Sequence, residues 1–261
     1  MVDPESPRQH PLEISVKQPL VIGITGHRDL LESDGLCYEM AMLNFLGSLQ
    51  ASYPNTPIQM ITSLAEGADR IAARIARDAG CELVASLPFS PEEYAIDFPD
   101  TVSEFQELLD TVEESNRIVM PLAPNNTREN IRVNGPNRDR QYAQVAAYLA
   151  CHSHIILALW DGDTQAKVGG TAEVVDFMLR GIPAEYSGDN SLLKQTDNGP
   201  IFHILTRRAR NPDAVHCPGT CTWIYPEDRN QQAYERMFQQ MESYNADPDR
   251  RQNLSISRFR K

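Results

Sequence analysis

The chain has 261 residues, of which 41% are hydrophobic and 23% charged, as expected of a globular protein with one large α/β domain. Its 24 basic and 36 acidic residues give a net charge of −12, which argues against bulk nucleic acid as a partner but leaves room for a local anion pocket. No apolar run reaches membrane-spanning length and the N-terminus lacks a signal-peptide pattern, so we expect a soluble, cytoplasmic chain without membrane contact.

Three parts are predicted along the chain. Residues 1–17 are polar and rich in proline, which indicates a flexible N-terminal arm. Residues 18–226 carry the strands and motifs of a single domain, and residues 227–261 add a C-terminal helix and a charged tail. The five cysteines indicate buried thiols, and the Cys217–Cys221 pair lacks the second pair that a zinc site needs, so no metal site is predicted.

Short apolar runs rich in β-branched residues predict the buried strands of a parallel sheet. The first run is Leu20–Ile24, and the most apolar one is His154–Trp160. The remaining predicted strands are Ile58–Leu64, Cys81–Leu87, Arg117–Leu122, Ile201–Thr206 and a short edge strand at Trp223–Tyr225. Helical segments alternate with these strands, which is typical of a parallel sheet built from right-handed crossovers.

An apolar stripe at helical spacing predicts an amphipathic helix within Leu31–Tyr53. The stripe consists of Leu36, Met40, Leu43 and Leu46. Further helices are predicted after Arg70, from Ser90 towards Asn116, and over Arg140–Cys151, Thr171–Arg180 and Asp228–Tyr244. Gly80 is placed to end one helix in a left-handed cap, and Ser90 is placed to cap the next.

Small and polar residues follow several of the predicted strands. The carboxyl ends of parallel strands share one edge of a sheet, and ligands bind in the crevice beyond that edge. The candidate ligand-binding residues are Thr25, Gly26, His27 and Arg28 after the first strand, Ser63, Glu66, Gly67, Asp69 and Arg70 after the second, and Asp161 after the fifth. Arg28 offers a planar cation for phosphate or carboxylate, and Glu66 offers an acceptor for ribose hydroxyls. The alternative for Arg28 is a solvated side chain, and the alternative for His27 is a hydrogen-bonding residue of the turn. Asp69 and Arg70 could instead form ion pairs with their neighbours.

Gly169, Gly170 and Thr171 open a predicted helix, and Glu173 lies in its first turn. Free backbone N–H groups and the helix dipole make such a turn an anion site, and glycines would let a phosphate approach. The alternative is a plain loop in which Thr171 caps the helix and the negative charge of Glu173 interacts favourably with the helix dipole. The stretch is neither a Walker A motif nor a G-x-G-x-x-G fingerprint.

A long polar loop is predicted over Ala123–Asp139, and arginines lie in or beside it. A loop of this length in a compact domain is usually functional or disordered. Arg138 and Arg140, at the start of the following helix, are the best candidates for a lid that grips phosphate, the alternative being a solvated loop.

Several ordered motifs together resemble the SLOG superfamily of Rossmann-like domains. They are GITGHRDL, SLAEGADR, LPFSPEEY, the DRQY–WDG segment and GGTAEVV, spanning roughly Leu20 to Tyr225. The superfamily includes the cytokinin-activating lonely-guy phosphoribohydrolases, DNA-processing protein A and the ligand-binding domain of melastatin-type TRP channels. The chain looks most similar to bacterial SLOG domains of nucleotide-signalling and antiphage defence systems. The resemblance implies a Rossmann-like three-layer sandwich with a mainly parallel central sheet.

The resemblance also implies two functions. The first is a sensor that binds a nucleotide-type ligand, such as an ADP-ribose derivative, NAD or a cyclic nucleotide, and acts as a homo-oligomer or through a linked or separate effector. The second is a nucleoside 5′-monophosphate phosphoribohydrolase, with Glu173 and Arg140 as the catalytic pair. The lonely-guy motif P-G-G-x-G-T-x-x-E is incomplete here, and Glu173 lies one residue nearer Thr171, about 100° around a helix. A binding domain without a resident cofactor is therefore the favoured interpretation.

Overall fold

The computed structural model describes residues 17–165, 168–186, 198–213 and 216–247. Its strands are β1 (Leu20–Gly26), β2 (Ile58–Thr62), β3 (Glu82–Leu87), β4 (Arg117–Val119), β5 (Ile155–Trp160), β6 (Ile201–Leu205) and β7 (Cys221–Ile224). Its α-helices are α1 (Gly35–Ser52), α2 (Ala68–Asp78), α3 (Pro91–Tyr94), α4 (Val102–Asp110), α5 (Pro136–His152), α6 (Thr171–Arg180) and α7 (Gln231–Ala246). The predicted arm, apart from Lys17, and the predicted tail beyond residue 247 lie outside the described residues.

The strands form one sheet in the order β4-β3-β2-β1-β5-β6-β7. Neighbouring strands are parallel from β4 to β6, and β7 joins the edge antiparallel to β6. The chain moves outward from β1 in one direction and returns to the other side of β1 with β5. Because of this reversal, the topological switch point lies at the carboxyl ends of the neighbouring strands β1 and β5. Open α/β sheets bind their ligands at such a point.

Two apolar cores cover the two faces of the sheet, which confirms the predicted α/β three-layer architecture. Leu20, Ile22 and Ile24 of β1 point into a core shared with α1, α2, α4 and α7. Val21 points to the opposite face, into a core shared with α5 and α6. Successive side chains of a strand point to opposite faces, so a strand buried on both faces must be apolar throughout.

Helix α1 turns a different face to the core from the one predicted. Tyr38, Phe45 and Leu49 belong to its buried face, together with Leu46 of the predicted stripe. The other three members of the stripe face solvent: Leu36 is 77%, Met40 56% and Leu43 48% exposed. The helix is apolar on both faces, so its periodicity does not identify the one that packs on the sheet.

Two predicted segments are divided differently in the structure. The predicted loop Ala123–Asp139 ends earlier, because α5 starts at Pro136, a residue suited to the first turn of a helix. The stretch from Ser90 to Asn116 holds two helices, α3 and α4, separated by short 3₁₀ turns. The Ser90 cap is confirmed, since its hydroxyl accepts a hydrogen bond of 3.4 Å from the Glu93 N–H. Gly80 has the predicted left-handed conformation, with φ of 77°.

Helix α7 packs on the same core as α1. Its side chains Tyr234, Phe238 and Met241 are buried there. Its Asn245 side chain accepts a 2.8 Å hydrogen bond from the Gln18 N–H and donates one of 2.8 Å to the Gln18 carbonyl. The helix of the predicted C-terminal segment therefore packs on the domain and is joined by these hydrogen bonds to its first described residues.

Candidate functional site

A cavity of about 680 Å³ opens at the carboxyl ends of β1 and β5, at the topological switch point. It lies between the turn after β1, the loop after β5, the first turns of α5 and α6, and the segment after β6. The predicted site residues that line it are Thr25, Gly26, His27, Arg28, Ser63, Asp69, Arg138, Asp161, Gly169, Gly170 and Thr171. The structure thus brings together residues from β1, β2, β5, α5 and α6 that are far apart in sequence.

Arg28 is the accessible cation of this cavity. Its side chain remains exposed, and its guanidinium carbon lies 5.4 Å from the centre of the Tyr142 ring. Among the described residues it forms no salt bridge within 4 Å. Partial burial lowers the pKa of this guanidinium, but Tyr94, Tyr142 and Asp97 raise it by more, so the net shift is upward. A cation without a salt-bridge partner is suited to binding an anionic group.

Tyr94 contributes a buried hydroxyl to the same cavity. The residue is 0% exposed, and its ring packs against Phe98 and Phe105. The hydroxyl lies beside the Ser63 side chain, but it makes no hydrogen bond of good geometry within the described part of the chain. Burial raises the pKa of this phenol, so it stays protonated and can donate. A buried polar group that lacks a partner is unfavourable, which a ligand acceptor in the cavity would relieve.

Arg138 is placed differently from the predicted phosphate-gripping residue. It is buried and forms a salt bridge of 2.7 Å with Asp97, which also accepts a hydrogen bond from the Tyr142 hydroxyl. Arg138 donates further to the Ile131 carbonyl at 2.6 Å, and its guanidinium lies 4.1 Å from the centre of the Phe89 ring. With these partners Arg138 fixes the preceding loop to α5, and it holds the cavity wall in place.

The turn before α6 presents the helix N-terminus to the cavity. Gly169 has φ of 72°, and a Cβ at this position would lie 2.2 Å from the Cβ of Tyr142. The glycine therefore allows α6 to approach α5, in addition to the predicted role of giving a phosphate room. Gly26 acts similarly at the end of β1, where a Cβ would lie 2.3 Å from the Ala68 Cβ. Gly170, at the N-cap position, and Thr171 line the cavity directly.

Glu173 points back to its own helix terminus. Its carboxylate accepts a hydrogen bond from the Gly169 N–H and does not line the cavity. Burial raises the pKa of this carboxyl group. The contact resembles a capping box, in which a first-turn glutamate satisfies a free N–H at the start of the helix.

His27 and Asp161 form another part of the cavity wall. The His27 Nε2 lies 3.0 Å from the Asp161 Oδ1, and the Asp161 N–H donates to the same ring nitrogen at 3.2 Å. Burial lowers the pKa of His27, with Asp161 opposing the shift. Arg208, from the segment after β6, forms a salt bridge of 2.6 Å with Asp29 and lies 3.9 Å from Asp161. The His27 ring is thus a fixed part of the wall.

Four other predicted residues lie outside the cavity. Glu66 accepts a hydrogen bond from the Thr101 hydroxyl, so its carboxylate is engaged on the α4 side. Arg70 is buried and donates to Glu104 at 2.7 Å. Gly67 packs under the Arg28 turn, where a Cβ would lie 2.4 Å from the Arg28 carbonyl oxygen. Arg140 is half-buried on α5 and does not line the cavity.

The sequence did not single out several lining residues. They are Tyr94, Asp97, Asp139, Tyr142, Arg208 and Arg210. Arg208 and Arg210 follow β6 at the same sheet edge, so the rule that located the other candidates could have found them. Asp139 and Tyr142 lie in the quoted DRQY motif and Tyr94 in LPFSPEEY, but no local pattern shows that these segments face the crevice.

No family model matches the chain, and no curated protein matches its sequence. Over the described ranges no group of three or more histidine, cysteine or acidic side chains is arranged to hold a metal ion. None of the helices that the structure describes has the length and apolar character to cross a membrane.

Proposed function

We propose that this protein binds a phosphorylated, ribose-containing ligand of nucleotide type in the cavity at the β1–β5 switch point. The observation that carries the proposal is the accessible Arg28 guanidinium, without a salt bridge among the described residues, in the same cavity as the N-terminus of α6. A cation and a helix N-terminus together favour a phosphate group. The unpartnered Tyr94 hydroxyl adds a hydrogen-bond donor.

We further propose a sensor rather than an enzyme. The resemblance to SLOG domains supports ligands such as an ADP-ribose derivative, NAD or a cyclic nucleotide, and a role in bacterial signalling or antiphage defence in the cytoplasm. A sensor passes its signal through differential contacts in two states, so we include in the proposal a homo-oligomer or an effector module as partner. The exposed apolar stripe on α1 supports a contact surface of this kind.

The alternative function, a phosphoribohydrolase of lonely-guy type, has less support. Its catalytic pair would be Glu173 and Arg140, and neither side chain lines the cavity. The Glu173 carboxylate is engaged by the Gly169 N–H instead. A general acid or base must reach the reacting group within hydrogen-bond distance, directly or through one water.

Binding of 5′-AMP and of adenosine tests the proposal through Arg28→Gln. We expect the wild-type protein to prefer AMP, and the variant to lose about tenfold or more of its AMP affinity, because a charge-assisted contact is removed. Adenosine affinity should change little, since it lacks the phosphate. Calorimetric titration measures both, and Arg180→Gln, an exposed arginine at the far end of α6, is the matched control.

Two results would count against this proposal. A wild-type protein that binds neither AMP nor inorganic phosphate would contradict a phosphate site at Arg28. Release of free adenine during incubation with AMP, followed by chromatography, would replace the sensor with the phosphoribohydrolase.

A further inference from the structure

Five aspartates line the cavity, and four of them have partners. Asp69 accepts a 2.6 Å hydrogen bond from the Ser63 hydroxyl, and Asp97 is held by Arg138 and Tyr142. Asp161 is engaged by His27 and by the Asp163 N–H. Asp163 accepts a 2.9 Å hydrogen bond from the Gln165 N–H. The acceptors of these four carboxylates are thus at least partly occupied by the protein.

Asp139 is the fifth aspartate that lines the cavity. Its side chain is half-buried at the edge of the cavity, and no hydrogen bond or ion pair involves its carboxylate within the described part of the chain. Asp139 lies in the first turn of α5, where its backbone N–H donates to the Gly135 carbonyl at 2.9 Å. An acidic residue in the first turn also interacts favourably with the helix dipole, which is a simpler explanation for an aspartate at this position. The experiment below separates this role from a ligand contact.

The position of Asp139 relative to Arg28 is set by Tyr142. Residues three apart on a helix share a face, so Asp139 lies one turn before Tyr142 on the cavity side of α5. Tyr142 itself is flanked by the Arg28 guanidinium and by Gly169 at the start of α6. A phosphate between Arg28 and the α6 terminus would therefore lie beside Tyr142, with the free carboxylate about one helical turn farther along the wall.

We propose that the Asp139 carboxylate accepts hydrogen bonds from the two sugar hydroxyls of the ligand. The inference rests on the proposed function, because it takes the ligand phosphate to lie at Arg28. An ionised carboxylate has two oxygens and only accepts hydrogen bonds, so it matches the two donors of a vicinal diol. Glu66, the sequence-based candidate for this role, is outside the cavity with its carboxylate on Thr101. Asp139 is thus the residue that selects for the sugar.

The test compares AMP with 2′,3′-dideoxy-AMP, which keeps the phosphate and the base and lacks both hydroxyls. We expect the wild-type protein to bind AMP about tenfold or more tightly than the dideoxy compound. Asp139→Asn should bring the two affinities close together by weakening AMP binding, with the dideoxy affinity unchanged. Calorimetric titration gives the ratio, and Glu66→Gln, at a residue that accepts from Thr101 and does not line the cavity, should keep the wild-type ratio.

The outcomes separate this inference from the proposed function. Equal wild-type affinity for both nucleotides, or an Asp139→Asn variant that keeps the wild-type ratio, overturns the role of Asp139 while leaving the phosphate site at Arg28 intact. A loss of thermal stability with an unchanged ratio assigns Asp139 to the helix dipole alone. Absence of any AMP binding by the wild-type protein overturns both.

Discussion

His154 and His27 each accept a hydrogen bond from a backbone N–H through a ring nitrogen. The Val21 N–H donates to His154 Nδ1 at 2.9 Å, and the Asp161 N–H donates to His27 Nε2 at 3.2 Å. A nitrogen that accepts a hydrogen bond carries no proton, so protonation would make His154 Nδ1 a donor that faces the Val21 N–H. At His27 the protonated ring would meet the same conflict with the Asp161 N–H, but the Asp161 carboxylate 3.0 Å away would accept from it and opposes the downward shift of the pKa. Burial accordingly lowers the pKa of both rings below 6.5.

The free energy of unfolding should fall as the pH is lowered through about 6.5, because the unfolded chain then binds protons more readily than the folded one. Above that pH both states hold neutral rings and these histidines contribute no pH dependence. His154→Gln, which keeps an acceptor for the Val21 N–H, should reduce the loss. Urea denaturation at about pH 7.5 and about pH 5.5 measures it.

The control for this prediction is the variant His216→Gln, because His216 is exposed. His216→Gln should lose as much stability on acidification as the wild-type protein. If the His154→Gln variant shows the same loss as His216→Gln, the titrating group lies elsewhere.

Single residues also show what the sequence could and could not predict about the site. Residues at the ends of β1, β2 and β5 could be placed near one another, because the sheet edge follows from the alternation of strands and helices. The role of Arg138 could not be predicted, since its partners Asp97 and Ile131 come from other segments. Local pattern gives the position of a charge along the chain, but its available partners are set by tertiary packing.

Helix α7 is joined to the start of the domain through polar side chains. Asn245, 1% exposed, makes two hydrogen bonds to the backbone of Gln18 and donates to the Thr56 hydroxyl at 3.0 Å. One turn earlier, the Glu242 carboxylate accepts from the Asn55 side chain at 2.6 Å and the Thr56 hydroxyl at 2.7 Å. The helix thereby satisfies backbone groups before β1 and side chains before β2.

Asn245→Ala should lower the free energy of unfolding by about 2 kcal/mol, because it leaves the Gln18 N–H and carbonyl without their partners. Ser243→Ala, on the exposed side of the same helix, should change it by less than about 0.5 kcal/mol. Urea denaturation followed by circular dichroism compares the two variants. Equal midpoints would show that α7 contributes little to the stability of the domain.

Strands were easier to predict than helix faces. The runs of β1 and β5 identify these central strands because a strand in a covered parallel sheet is apolar throughout, and the shorter runs of the outer strands remain mostly apolar. In α1 the stripe of Leu36, Met40 and Leu43 and the stripe of Tyr38 and Phe45 both have helical spacing. Periodicity alone gives equal support to either face, so the orientation of α1 depends on tertiary packing.

One face of the molecule has a stripe of exposed apolar side chains and, beside it, an apolar groove. Leu36, Met40 and Leu43 project from α1, and Met40 also lines a neighbouring groove of about 570 Å³ with Phe45 and Trp223. Glu39 is the one ionisable acidic or basic side chain along α1, so the stripe offers little to a highly charged partner. A two-fold interface needs a patch that is complementary to itself, and we propose that the stripe and the groove together form one.

Replacing Leu36 and Leu43 together by glutamate tests whether a second copy of the chain covers this face. We expect the wild-type protein to have twice the 29.3 kDa mass of one chain in light scattering, and the double variant to have the mass of one chain. The reason is that each introduced carboxylate would be buried without a partner in the paired state.

Leu122→Glu is the matched control, because Leu122 is 44% exposed but follows β4, the edge strand at the other end of the sheet from β7. Its substitution should leave the mass unchanged. A wild-type protein with the mass of a single chain, with and without AMP, would rule out a second copy and leave a different effector as the partner of the α1 face.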